Sequence, residues 1–258
     1  MKVQPKPVFD NVAHNPHSCH CDVMHLTTPD KKTKFQFLVG VDAQSQFLFV
    51  HPLDNLDQVS VKYALKKIVA QYKQSPIEPK LTKIVMDRAG GLNCKAVVAA
   101  LVSQKLEFEY CSTAMHVVLA EAAIKFIKSL VRTTVLDSST KKRFLNLFVP
   151  DLVKWITESI NYSLRSGNDY ASPYTRFTGN PVSAKVHFRA AFLDIVAVNA
   201  NLDKAKNTDS RSRICLVISR DDSMRGSLNM LDIGSGKMIN RYFYTLVEGP
   251  SYVIGSNL

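Results

Sequence analysis

The stretch CHCDVMHLTTPDKKTKFQFLVGVDAQSQFLFVHPL, residues 19–53, decides the fold. CHCDVMHL (19–26) alternates in polarity and runs into the turn-rich TTPDKKTK (27–34). FQFLVGVD (35–42) and QFLFVHPL (46–53) are apolar runs on either side of the tight Asp42-Ala43-Gln44-Ser45. Alternation with period two, and short apolar runs bounded by turn residues, predict three antiparallel strands in a meander.

Downstream, residues 57–74 carry Val59, Tyr63, Leu65, Ile68, Val69 and Tyr72 at spacings that predict one apolar helical face. KLTKIVMD (80–87) reads as a short buried strand ending in Asp87, and AGGLNC turns the chain into a helix over 95–104. EFEYC (107–111) is a fifth strand. A loop over 112–118 leads into a long helix over 119–136, and a further helix spans 141–164 with Phe144, Leu147, Leu152 and Ile156 on its apolar face. Three antiparallel strands, then helix, strand, helix, strand and further helices, is the order of a ribonuclease H-like α/β core: a five-stranded mixed sheet with flanking helices.

After this core, SGNDYASPYTRFTGNP (166–181) is dense in Gly, Pro, Ser and Asn and reads as a linker. DIVAVNA, RICLVIS, SLNMLDI, KMINRYFYTLVE and SYVI then read as short strands of a small C-terminal SH3-like β-barrel. The expected organisation is an N-terminal arm (1–18), the core (19–165), a linker (166–190) and the barrel (191–258).

Composition narrows the setting. At 258 residues and 46% hydrophobic, the chain can bury one large core with a small satellite. No apolar run approaches the roughly 20 residues that cross a bilayer. The N-terminus lacks the apolar stretch of a secretory signal, so an intracellular protein, nuclear or cytoplasmic, is expected. The five cysteines are odd in number and scattered, which fits reduced thiols. A net charge of +11 favours a polyanionic partner, since phosphates release counterions to basic proteins. Residues 121–154 hold seven Lys or Arg against three acids, whereas residues 186–258 hold nine against seven, so the surplus lies mainly outside the C-terminal segment.

The acids suggest chemistry. Phosphoryl transfer between nucleic-acid strands uses two metal ions about 4 Å apart, and hard Mg²⁺ or Mn²⁺ takes oxygen ligands. In the predicted fold the first strand lies beside the fourth, so Asp22 and Asp87 can converge while Glu121, opening the long helix, covers them. Asp42 competes for the first position, but it lies in the turn between strands two and three, away from strand four. Individually, Asp87 has a plainer reading as a helix-capping or turn residue, and a lone Glu121 reads first as an acid at the positive end of a helix dipole. In order and together they read as a metal-binding set. Lys125, Lys128 and Arg132 follow Glu121 at +4, +7 and +11 on one helix face, as a DNA backbone entering the site would need. The plainer reading of that stripe is a solvated helix face.

These residues resemble the integrases of retroviruses and LTR retrotransposons, most closely the Ty1/copia branch. His20-Cys21-Asp22-Val23 is similar to that branch's first-strand H-x-D-[VL], and residues 37–53 to its following strands. Val85-Met86-Asp87-Arg88-Ala89-Gly90-Gly91 stands where the family has SDNGgEF, with 33 residues between Asp87 and Glu121. Residues 172–181 and 229–248 are similar to the branch's motifs beyond the core. The resemblance covers about residues 19–250. It implies Mg²⁺ or Mn²⁺ (two ions) held by Asp22, Asp87 and Glu121, and cleavage and joining of DNA strands. It also implies DNA contact through Lys125 and Lys128, and assembly into a homo-oligomer. The sequence departs from the family at Arg88, where Asn is usual, and at Val117-Val118-Leu119-Ala120 before Glu121, where the family has Asn-Gly. The closely spaced His14, His17, Cys19, His20, Cys21 and His25 do not match the family's zinc domain. Two alternatives share the fold: a catalytically degenerate, nucleic-acid-binding derivative, and another ribonuclease H-fold nuclease or transposase.

Overall fold

The computed structural model describes residues 15–28, 33–87, 95–111, 117–137, 146–164, 171–199, 212–221 and 226–247. The chain divides into two compact units, Met1–Leu136 with Ile156–Pro181, and Asp137–Trp155 with Val182–Leu258.

In the first unit β1 (Ser18–Thr27), β2 (Lys34–Asp42) and β3 (Leu48–Leu53) form the predicted meander. β4 (Lys83–Met86) and β5 (Glu107–Tyr110) extend the sheet on the other side of β1, giving the order β3-β2-β1-β4-β5. β1 pairs antiparallel with β2 and parallel with β4, and β4 pairs parallel with β5. The sheet is therefore mixed, and β1 is its central strand. The five-stranded mixed sheet with its flanking helices fits a ribonuclease H-like core.

Helix α1 (Gln58–Gln74) starts where the Asp57 carboxylate accepts the Ser60 N–H at 2.7 Å, satisfying one of the open donors of the first turn. Its buried face is Val61, Ala64, Leu65, Ile68, Val69 and Tyr72, a repeat of three and four residues. Val59 and Tyr63, expected on that face, are instead 74% and 61% exposed. They sit two residues from Val61, about 200° round the helix. The buried face packs with Cys19, Cys21, Leu38, Ile84 and Met86, together with Val97 and Leu101 of α2 (Lys95–Val102). Gly40 permits this approach, since a Cβ there would lie 3.2 Å from both Cys19 Sγ and Ile68 Cδ1.

α3 (Val118–Asp137) buries Leu119, Ala120, Ala123, Ile124, Ile127 and Val131. Within the expected 141–164, helix α4 covers Val149–Tyr162; residues 146–147 are also helical, a turn at Phe148 separates them from α4, and residues 141–145 lie outside the described residues. Leu147 is 71% exposed, not part of an apolar face, and Phe144 lies outside the described residues. Asn161 of α4 accepts the Leu48 N–H at 2.8 Å and donates to the Leu48 carbonyl at 2.9 Å. Its amide thereby serves as a surrogate strand along the open edge of β3.

The stretch expected as a linker contains a helix, α5 (Pro173–Thr178). It is capped by Ser172, whose Oγ accepts the Thr175 N–H at 3.1 Å, and closed by Gly179 at φ 74°. This helix plants Phe177 in the core, stacked on Phe47 at 4.5 Å and edge-on to Phe49 and Tyr72 at 5.3 and 5.1 Å. Ser75 Oγ donates to the Phe177 carbonyl at 2.6 Å, tying α5 to the end of α1.

The second unit contains α6 (Ala184–His187) and a five-stranded antiparallel sheet in the order β10-β6-β7-β8-β9. These strands are β6 (Ile195–Asn199), β7 (Ser212–Arg220), β8 (Leu228–Asp232), β9 (Met238–Arg241) and β10 (Thr245–Leu246). A closed barrel was expected, but the described residues form an open sheet with β9 and β10 at its edges. Only residues 242–244 separate those two edges in the chain, so at no more than about 3.6 Å per residue the edges approach and the sheet must curl. Four-residue β9 and two-residue β10 leave little backbone with which to complete a ladder. Trp155, Val196, Val198, Cys215, Val217, Leu228 and Met230 make this unit's core. Arg220 lies 3.8 Å over the Trp155 ring and donates to the carbonyls of His187 and Trp155 at 2.9 and 3.2 Å. A buried cation is tolerated because its donors are used. Residues 251–254, expected as a strand, lie outside the described residues.

Candidate active site

β4 and β5 end together beside the middle of β1. Cys21 of β1 pairs with Met86 of β4, and Met86 with Tyr110 of β5. The next residues in each strand are Asp22, Asp87 and Cys111, at a strand spacing of about 4.8 Å. Successive side chains on a strand point to opposite faces. Cys21 and Met86 face α1, so Asp22 and Asp87 turn to the other side of the sheet. Asp22 is half-buried, and its Oδ1 accepts the Val23 N–H at 2.7 Å.

Glu121 comes to the same place from the first turn of α3. The convergence is registered in the Asp22 carboxyl. Burial pushes it above its ordinary range, and the charges of Asp87 and Glu121 push it further. The Val23 N–H and the exposed His25 pull it back. Asp22, Asp87 and Glu121 thus share one electrostatic neighbourhood. They are not drawn together tightly enough to form a ready-made ligand cage, and none is found among the described residues. Glu121 lies 3.9 Å from the Lys125 ammonium; the Lys125 side chain is 80% exposed and that of Glu121 31%, so this is a screened surface pair. Lys128 is half-buried and Arg132 exposed, on the side of α3 away from its apolar face.

Asp42, the competing acid, is placed elsewhere. It pairs with Cys19 in the ladder, three residues along the strand from the Asp22–Val39 pair. At 2% exposure its carboxylate is fully used. Oδ2 accepts both the Ser45 N–H and the Ser45 hydroxyl at 2.6 Å, and Oδ1 accepts the Tyr72 hydroxyl at 2.7 Å. Asp42 is an anchor for its turn.

Cys111 is the site neighbour that sequence reasoning missed. Its N–H donates to the Met86 carbonyl at 2.9 Å, continuing the β4–β5 ladder to the level of Asp87. Burial pushes its thiol up, with Glu109 and Asp87 adding to the shift. Only the register of two strands, invisible in either segment alone, reveals this adjacency. His14, the remaining Asp87–Cys94 loop and residues 112–116 lie outside the described residues, Arg88 and Cys94 among them.

Neither a protein-family model nor any curated protein sequence matches the chain. Solved structures do match. A chain from the cryo-EM structure of the simian T-cell lymphotropic virus intasome in complex with PP2A regulatory subunit B56 gamma aligns with a TM-score of 0.50 at 10% identity. That alignment covers 91% of this chain and 83% of the other. The catalytic core domain of BIV integrase aligns at 12% identity, with a TM-score of 0.46, over 63% of this chain and 94% of that one. The HTLV-2 integrase catalytic core domain in complex with magnesium aligns at 19% identity, with a TM-score of 0.48, over 63% and 95%. Identities this low speak to fold alone.

Proposed function

We propose that this chain is a retroelement-type integrase, of Ty1/copia character, that cuts and joins DNA strands using Asp22, Asp87 and Glu121 as its metal-binding acids. The observation that carries the reading is the shared field of the three acids where β4 ends beside β1. Asp87, just past β4, and Glu121 of α3 both act on the Asp22 carboxyl of β1 and leave an excess of negative charge, which a divalent cation would relieve. The donor set is all oxygen and suits Mg²⁺ or Mn²⁺ rather than a softer ion. Two such ions would stabilise charge developing on the phosphate oxygens.

The chain's own residues do the rest. β1, the central strand, gives Asp22 a rigid mounting. Asp87 stands beside it in register, and α3 brings Glu121 across the end of the sheet. Lys125, Lys128 and Arg132 run down α3 from Glu121 and are suited to hold a DNA backbone by its phosphates. We also read the curled second sheet as an SH3-like module, the functional divisions as 19–165 and 191–258, and the working protein as a nuclear or cytoplasmic homo-oligomer on DNA.

The test is a labelled duplex incubated with the purified protein and Mn²⁺. Nicked and joined products are expected, and Asp87→Asn should reduce them by about a hundred- to a thousandfold, the range seen when one contributor to transition-state charge stabilisation is lost. A specific observation favours a second reading, a catalytically degenerate nucleic-acid-binding protein: the acids are not caged and Glu121 is paired with Lys125. DNA binding without cleavage, unchanged by Asp87→Asn, would select it.

A further inference from the structure

The exposed side of α1 carries a charge pattern that the proposed reaction does not use. Gln58–Gln74 contains Lys62, Lys66, Lys67 and Lys73 and no acid. Lys66, Lys67 and Lys73 are exposed and Lys62 is half-buried. Positions 62, 66 and 73 fall at +4 and +11, so these three share one face over about 16 Å of helix. Lys62 and Lys66 also rim a shallow groove floored by Leu65, Val97 and Leu101, with Gln104 opposite. Val59 and Tyr63 stand exposed beside this row, and the Lys67 ammonium lies 4.5 Å from the Tyr63 ring centroid.

What separates this face from an ordinary solvated helix is its lack of compensation. Among the described residues none of the four lysines forms an ion pair, whereas Lys83 pairs with Glu107 and Glu109, and Lys125 with Glu121. The partner of Lys73 is the neutral Gln104 amide, 3.4 Å away. A like-charge pair at i,i+4, such as Lys62 and Lys66, opposes helix formation. A bound polyanion reverses the sign of that cost. The patch also faces away from the acids, because α1 packs on the sheet face of Cys21 and Met86 whereas Asp22 and Asp87 point to the other face.

We infer that the exposed side of α1, with the row Lys62, Lys66 and Lys73 and with Lys67 beside it, is a second nucleic-acid surface, holding the phosphate backbone of a duplex other than the one presented to Asp22, Asp87 and Glu121. The partner is a nucleic acid rather than an acidic peptide because the row is long and one-signed. Phosphates recur every 3.4 Å or so along each strand, so such a row can neutralise several without base contacts. Tyr63 and Val59 supply flanking contact area.

The experiment measures binding of a fluorescein-labelled 30-base-pair duplex of random sequence to the full chain by anisotropy, across about 50 to 200 mM NaCl. The Lys62→Gln/Lys66→Gln/Lys73→Gln variant should bind about tenfold or more weakly at the lowest salt. The slope of log K against log salt should fall by about 2.7, since each lost phosphate contact removes about 0.9. In parallel, acetylation by an amine-reactive ester, read by mass spectrometry, should show the α1 lysines of the wild-type protein protected by the duplex. An unchanged slope, or α1 lysines labelled equally with and without DNA, overturns the inference. So does a poly-glutamate peptide that protects them as well as the duplex at equal charge. The surface stands or falls separately from the proposed chemistry. Asp87→Asn should leave the slope and the protection unchanged, and the triple variant should still cleave.

Discussion

The Asp22 carboxyl costs the folded chain stability at neutral pH, because burial and two like charges raise its folded pKa above its unfolded value. A carboxyl raised in this way stabilises the fold below its unfolded pKa, and that contribution is lost as pH rises through the folded pKa. Asp22→Asn should therefore raise the Tm at pH 7 without divalent ions, and the gain should vanish near pH 3. Melting curves of both proteins from pH 3 to 8 check this; equal Tm values throughout would mean that neither burial nor the neighbouring acids raise the Asp22 carboxyl. Mn²⁺ should then raise the wild-type Tm, as any ligand of the native state does, and raise that of the variant less. At this scale the sequence was informative in a particular way. It named Asp22, Asp87 and Glu121 by their order, yet it was silent on Cys111, whose place beside Asp87 comes from strand register.

At the scale of elements, α5 is the instructive case. Its signals are all local: Ser172 as cap, Pro173 in the first turn and Gly179 in the left-handed region that closes it. They were readable as a helix, but the density of Gly, Pro and Ser around them read more strongly as a linker. What decided the matter was burial of Phe177 among Phe47, Phe49 and Tyr72, contacts with residues more than a hundred positions away. Phe177→Ala should destabilise the first unit by about 3–5 kcal/mol, the usual cost of deleting a buried ring. Urea unfolding followed by a probe in that unit measures it; a loss below about 1 kcal/mol would return residues 172–180 to the status of a tether. α1 shows the converse. Its buried face was legible from spacing except for Val59 and Tyr63, whose apolar character suggested burial although their angular position on the helix excluded it.

Over the whole molecule, the +11 charge is a repulsive load on the folded state. Raising NaCl from about 50 to 300 mM, which shortens the screening length from roughly 14 to roughly 6 Å, should raise the Tm in the absence of nucleic acid. A Tm that falls over this range would mean that favourable ion pairs outweigh the repulsion. The sequence by itself determined the meander and the element order of the first unit, because period-two alternation, helical spacing and turn residues are local properties of the chain. Tertiary structure alone decided three things. It brought Cys111 to the level of Asp87, put Phe177 in the core and left the second sheet open. Each of these depends on register or packing between segments distant in sequence, which no local pattern encodes.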